Sequence, residues 1–339
     1  MSVERSKILV AAIRHCATET ALKKNILPIL LLLSAFAAFA SSGYHLLKTV
    51  PVGGTGGWDY LAVDEANRRL YVSHETEVDV LDVDSGAAVG KITNTLGVHG
   101  IAIAPESNRG FTSNGKASSV TIFDSKTLAT IGEVPTGKKP DAIVYDPATQ
   151  RVFAMNGASN TSTVIDAASG KVIGTIELNG GPEFATADGS GSVYVNLEDE
   201  SLTLRIDSRS LTVKDRWPVS PCQNPSSMAI DRQNRRLFIG CRSHVMAVVN
   251  AETGKVVATF PIGDHVDATA FDPITALIFN STGDGNVYIF HEESPDHYSQ
   301  VERISTRSGS KTMALDPKTH HFFVPARGPN GLEILLFAR

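Results

Sequence analysis

From about residue 45 onward the chain alternates apolar and polar positions with a period of two, in short runs broken by Asp-Pro, Ser-Gly and Thr-Gly pairs. That periodicity places side chains on opposite faces of a strand and predicts half-buried β structure rather than amphipathic helix. The clearest instance is Pro140-Asp141-Ala142-Ile143-Val144-Tyr145-Asp146-Pro147, followed by Arg151-Val152-Phe153-Ala154-Met155-Asn156. Asp supplies a side-chain acceptor and Pro a fixed φ where a type I turn needs them, so the run predicts a β-hairpin.

The hairpin recurs seven times. The last residue of each first strand is Asp64, Ala104, Asp146, Asp188, Asp231, Asp272 or Asp316, at spacings of 40, 42, 42, 43, 41 and 44 residues. Near seven residues after each stands an aromatic: Tyr71, Phe111, Phe153, Tyr194, Phe238, Phe279 and Phe323. A third strand follows, as in Val120-Thr121-Ile122-Phe123-Asp124 or Ala247-Val248-Val249-Asn250, and then an outer one such as Lys255-Val256-Val257-Ala258-Thr259-Phe260. Four short strands in a fixed period of this length predict an all-β, seven-bladed β-propeller with four antiparallel strands per blade. The repeated aromatic is expected to pack between blades, and the Asp-Pro pairs to be turn chemistry.

The seventh copy runs from Lys311 to Arg339 and lacks an outer strand. His45-Leu46-Leu47-Lys48-Thr49-Val50-Pro51-Val52-Gly53 matches the outer strands that end Val134-Pro135-Thr136-Gly137 and Phe260-Pro261-Ile262-Gly263. The N-terminal strand is therefore expected to complete the C-terminal blade, which closes the ring and removes two open edges. In the sixth copy, His291-Glu292-Glu293-Ser294-Pro295-Asp296-His297-Tyr298 interrupts the pattern and is expected to be a solvated loop.

Residues 1–40 read differently. Lys23 and Lys24 precede an apolar run, Ile26 to Ala40, that ends in Ala38-Phe39-Ala40 and is shorter than a membrane-spanning helix. This predicts a secretory signal peptide cleaved after Ala40, a periplasmic or secreted protein, and one propeller domain over 41–339. Retention of the segment as an anchor is the alternative. The whole chain has 31 basic and 36 acidic residues; residues 1–40 hold five and two of them, leaving 26 and 34 and a net charge of −8. Phosphate backbones are held by Lys and Arg clusters, so this balance disfavours nucleic acid as a partner. Cys16 falls in the leader, and Cys222 and Cys241 remain near the two ends of the fifth hairpin. In an exported chain they are expected to form a disulfide; two separate buried thiols are the alternative.

The second strands end Tyr71-Val72-Ser73-His74, Phe111-Thr112-Ser113-Asn114 and Phe153-Ala154-Met155-Asn156. With the period, these resemble the YVTN-repeat, YncE-like seven-bladed propellers of exported bacterial proteins. The resemblance implies a periplasmic binding protein; some family members are linked to nucleic acid or metal, and similar propellers serve as lactonases and redox-enzyme domains. Copies four to seven drift from the motif, as in Phe238-Ile239-Gly240-Cys241 and Phe323-Val324-Pro325-Ala326.

Candidate chemistry comes from a ring. Five residues before each strand end stand Asp59, His99, Asp141, Glu183, Ser226, Asp267 and Lys311, all polar. Inner strands run parallel around the axis, so these positions share one mouth of the channel, and crowded carboxylates there form a candidate ligand site. A merely wet mouth with local ion pairs is the plain alternative. His74 is expected on the mouth side, and Trp58 either walls the mouth or packs in a blade. Asp59, His99 and Asp141, and His74 with them, are candidate ligands of a divalent metal, although the sequence requires no cofactor. No nucleophile elbow, zincin helix or phosphate-binding Gly loop appears. The expected function is a monomeric binding or interaction protein using the channel mouth for a ligand or partner, without catalysis of its own. The alternative is a lactonase- or lyase-like hydrolase with a metal-bound water.

Overall fold

Each sequence period folds into a meander of four antiparallel strands, as the computed structural model of residues 43–339 shows. The proposed leader, with Cys16, lies outside the described residues. Blade 3 is representative: inner strand Pro140–Asp146, second strand Arg151–Asn156, third strand Thr161–Asp166 and outer strand Val172–Glu177. There are seven such sheets, and their inner strands neighbour one another around a central axis, with Ala314–Asp316 closing against Trp58–Asp64. The protein is an all-β, seven-bladed propeller. Among the described residues no helix is long and apolar enough to cross a membrane.

Ring closure is as the sequence predicts. The strand His45–Gly53 pairs antiparallel with Gly331–Ala338, with Val50 opposite Ile334 and His45 opposite Ala338. Tyr44, just before it, is buried against Phe279 and Phe322, and its hydroxyl donates to the His320 carbonyl at 2.6 Å. The N-terminal strand thus supplies both an edge partner and an aromatic to the seam between blades 6 and 7.

The turn aspartates behave as turn chemistry requires. Asp146 accepts from Ala148 N at 3.2 Å and Thr149 Oγ1 at 2.7 Å, and Asp272 repeats this with Ile274 N and Thr275 Oγ1. Most of these turns close with a residue at positive φ: Arg68, Asn108, Gln150, Arg235, Ala276 and His320. Three of those side chains reach back to the preceding blade's aspartate, giving Arg68–Asp316, Arg235–Asp188 and His320–Asp272. Blade 2 has Ala104 instead of Asp, and its turn forms a short 3-10 helix, Pro105–Ser107, without a side-chain cap.

All seven repeated aromatics are buried, and the two tyrosines bond across to the next blade: the Tyr71 hydroxyl donates to the Ser125 carbonyl at 3.4 Å and the Tyr194 hydroxyl to the Ala251 carbonyl at 3.0 Å. A second repeated device follows the turn. Arg69, Arg109, Arg151 and Arg236 each donate to carbonyls at the third-to-outer strand turn of the following blade. These bonds hold blades together on the face away from the candidate mouth.

One expectation fails. Residues 291–298 do not form a solvated loop: the third strand, Asn286–Ser294, and the outer strand, His297–Ser305, run on as a long hairpin turning at Pro295-Asp296. The reason is packing. Tyr298 stands edge-on to Phe238 and Phe260, Arg236 of blade 5 donates to the Pro295 carbonyl at 2.9 Å, and Glu292 is buried. The expected disulfide is present: Cys222 and Cys241 are bonded with their Cα atoms 5.5 Å apart, in the ordinary range, and tie the entry of blade 5 to the end of its second strand.

Candidate functional site

Strand alternation and blade symmetry put the polar residues that open each inner strand around one mouth, here called the top. They divide into two groups. In blades 1 to 3, His99 Nδ1 lies 2.6 Å from Asp59 Oδ2 and 3.8 Å from Asp141 Oδ1. Thr312 of blade 7 donates to the Asp59 carbonyl at 2.7 Å and Ser113 donates to that of Asp141, so both strand ends are fixed by neighbours. Gly115 is needed beside them: a Cβ there would sit 2.8 Å from the His99 ring.

The second group spans blades 4 to 7. Ser226, the ring residue of blade 5, turns away and donates to the Val266 carbonyl at 2.7 Å. Its small side chain leaves room for Arg242, from the end of the same blade's second strand. The Arg242 guanidinium pairs with Glu198 at 2.8 Å and Glu183 at 3.0 Å and approaches Asp267 to 4.0 Å. Asp267 also accepts from the Lys311 ammonium. Five carboxylates therefore face the mouth, and the cations that touch them are Arg242, Lys311 and His99.

Below the ring the channel is plugged. Tyr60 and Phe184 extend from blades 1 and 4, which lie across the ring from one another, and their ring centroids stand 5.6 Å apart. The Tyr60 hydroxyl points toward the Glu183 carbonyl at 3.5 Å. The two rings, each partly exposed, form an aromatic floor that turns the mouth into a cup. Two recesses open from the cup: one of about 290 Å³ beside Asp141, Glu183 and Lys139, and one of about 190 Å³ beside Trp58, Asp59 and His99. The opposite mouth has a larger opening, about 580 Å³, but Met228, Ile230, Phe271, Pro273 and Pro317 make its lining mainly apolar.

The cup perturbs its acids. Burial, together with the charges of Asp141, Glu198 and Asp267, pushes Glu183 up to about 8 despite Arg242. Burial also pushes Asp141 up to about 6; His99 opposes the shift and Asp59 adds to it. Asp267 and Glu198 are raised as well, mainly by burial. For His99 burial pulls the other way, but the Asp59 hydrogen bond and the Asp141 charge outweigh it and the imidazolium is favoured. Tyr60, buried among four of these carboxylates, is raised well above 10 and stays a phenol.

A raised carboxyl holds a proton in the folded state that the unfolded chain releases. Its contribution to stability is present at low pH and is lost as pH rises through the folded value. Glu183→Gln is therefore expected to leave Tm nearly unchanged at about pH 5 and to raise it by several degrees at about pH 9. Equal effects at both pH values in thermal melts would contradict the crowding of Glu183.

The structure gathers Asp59, His99 and Asp141 in one cluster, and Glu183, Asp267 and Lys311 in another. Trp58 lines the smaller recess and is covered by the Arg327 guanidinium, 5.2 Å from its ring centre, so it both walls the mouth and packs. His74 does not join the mouth. It is buried within blade 1 with Nδ1 2.9 Å from Asp79, a cross-strand bond that Asn114 and Asn156 make to Thr121 and Thr163 in blades 2 and 3. Arg242, Glu198, Tyr60 and Phe184 were not anticipated. The position just after the second strand reads Glu75, Gly115, Gly157, Glu198, Arg242, Gly283 and Arg327, and the one after the mouth ring reads Tyr60, Gly100, Ala142, Phe184, Ser227, Ala268 and Thr312. Reading those two series as further rings would have found all four.

No family model matches the chain, and no curated protein matches it either. Solved structures do match its fold. Hydrazine synthase of Kuenenia stuttgartiensis superposes with a TM-score of 0.71 at 15% identity, over 81% of this chain and 94% of that one. The RRP9 WD40 repeats give 0.75 at 9% identity, over 87% and 97%. The structure of U3-55K gives 0.74 at 9% identity, over 86% and 98%. At these identities the likeness is one of fold: this chain shares the seven-bladed, WD40-like propeller architecture.

Proposed function

We propose that this protein is an exported propeller, akin to the YncE-like binding proteins, that uses the acidic cup at its top mouth to bind a ligand or partner presenting a positively charged group, with no catalysis of its own. One observation carries the reading. Asp141 is only 9% exposed and its carboxylate accepts no hydrogen bond from any described residue, while Glu183 beside it is crowded into holding a proton. Buried carboxylates are costly unless paired, and an ammonium, guanidinium or metal ion entering the cup supplies the missing partner. The apolar faces of Tyr60 and Phe184 lower the local dielectric and strengthen that attraction. A phosphate-rich ligand would meet the wrong charge. Export is supported by the basic, then apolar, composition of residues 23–40 and by the Cys222–Cys241 disulfide, which suits an oxidising compartment.

Agmatine and putrescine serve as guanidinium and ammonium probes, titrated calorimetrically into protein kept in a chelator. Saturable binding weakened about tenfold or more by Asp141→Asn or Glu183→Gln is the expected result. Binding that is absent, or indifferent to both substitutions, would refute the cup as the site.

A further inference from the structure

We propose that Asp59, His99 and Asp141 form a binding site for one divalent first-row transition-metal cation such as Zn²⁺. The inference rests on the reading of the top mouth as a ligand site and names one occupant of it. The donor atoms His99 Nδ1, Asp59 Oδ2 and Asp141 Oδ1 lie within 4.8 Å of one another. At metal–ligand distances of about 2.0–2.2 Å, donors around one ion stand roughly 3.0–3.4 Å apart. The two separations from His99, 2.6 and 3.8 Å, bracket that range, so small side-chain adjustments would admit the ion.

Asp141 supplies the observation that points to a ligand. Its side chain is 13% exposed and belongs to the cluster, and its nearest cationic atom, His99 Nδ1, is beyond hydrogen-bonding distance at 3.8 Å. Two carboxylates and a neutral imidazole carry a charge of −2, which a divalent cation cancels. An imidazole in the donor set selects transition cations over Mg²⁺ or Ca²⁺, which prefer all-oxygen shells. The bare Cα of Gly115 lets the imidazole lie where it does, and the recess beside Trp58 gives the ion a path from solvent and space for further ligands.

A second cluster of the same composition shows what a closed one looks like. His74, Glu77 and Asp79 in blade 1 also bring three donors together, but the Lys91 ammonium lies 2.5 Å from Glu77 and 3.0 Å from Asp79. A lysine already fills the place of a cation there. No lysine or arginine forms an ion pair with Asp59 or Asp141 among the described residues.

The test is titration of the chelator-stripped, full-length protein with Co²⁺, read by its d–d absorption and by displacement with Zn²⁺. One tightly bound equivalent is expected, with affinity falling about 100-fold or more in Asp141→Asn and in His99→Gln, and unchanged in His244→Ala, which removes an exposed His–Asp pair. In the stripped state Asp141→Asn should melt no lower than wild type, because it deletes a largely buried charge that no lysine or arginine pairs, whereas saturating Zn²⁺ should raise Tm only in the wild type. No Co²⁺ spectrum, or binding that survives both ligand substitutions, would overturn the site. Agmatine binding in chelator that persists alongside either result would leave the cup standing and remove only the metal.

Discussion

Deleting residues 43–53 is expected to abolish cooperative folding or to lower Tm by more than about 10 °C. The deletion takes away the outer strand of the seventh blade and Tyr44 with it, uncovering Leu332, Ile334, Leu336 and Phe337, all buried in the intact ring. Each buried apolar side chain is worth about 1.5–3 kcal/mol, so a loss on the order of 5–10 kcal/mol follows before any edge effect. The strand Gly331–Ala338 would become an open, apolar edge, a template for pairing with another chain. Scanning calorimetry with light scattering measures both consequences. A melting curve like that of the full chain, without aggregation, would show that the ring does not depend on its N-terminal strand.

The other large effect is at the seam between blades 7 and 1. Arg68 of blade 1 donates to both oxygens of Asp316 in blade 7, at 3.0 and 2.7 Å, and also holds Asp84 at 2.6 Å. Asp316 is fully buried and further accepts from Lys318 N and Thr319 Oγ1. Asp316→Ala breaks a buried pair and leaves the Arg68 guanidinium only its exposed partner Asp84, which costs up to about 3–5 kcal/mol. Asp146→Ala removes the same turn bonds in blade 3, where no ion pair crosses to a neighbour, and should cost only about 1–2 kcal/mol. Arg68→Ala combined with Asp316→Ala should be less destabilising than the sum of the two single changes. Chemical denaturation of the four variants decides it. Equal losses for Asp316→Ala and Asp146→Ala would mean the cross-blade ion pair contributes nothing.

Most of the fold was legible in the sequence because blade symmetry repeats each physical requirement seven times. The Asp-Pro turns, the aromatic of the second strand, the spare outer strand at the N-terminus and the outer strand missing from the last copy need no tertiary information. The long hairpin of blade 6 was not legible, since Pro295 and the surrounding charges read as a loop while Tyr298 finds Phe238 only in the folded ring. The mouth was half legible. Counting back from the turn finds Asp59, His99 and Asp141, because a ring position is set by register alone. Arg242 escaped because it fills the place left by Ser226 from a different strand of the same blade, a substitution in space rather than in sequence. The strand end alone places His74 at the mouth, but side-chain direction there follows the pleat, and it turns inward to Asp79.

As a cation-binding site, the cup holds carboxyl groups awaiting a positive charge. Burial and its acidic neighbours raise Glu183 to about 8 although Arg242 stands 3.0 Å away, so a further cation arriving beside it favours loss of its proton. Calorimetric titration of agmatine at pH 7 in two buffers of different ionisation enthalpy measures that proton directly. Release of about one proton per ligand, abolished in Glu183→Gln, is the predicted result. Binding without proton release, or release unchanged in Glu183→Gln, would contradict it.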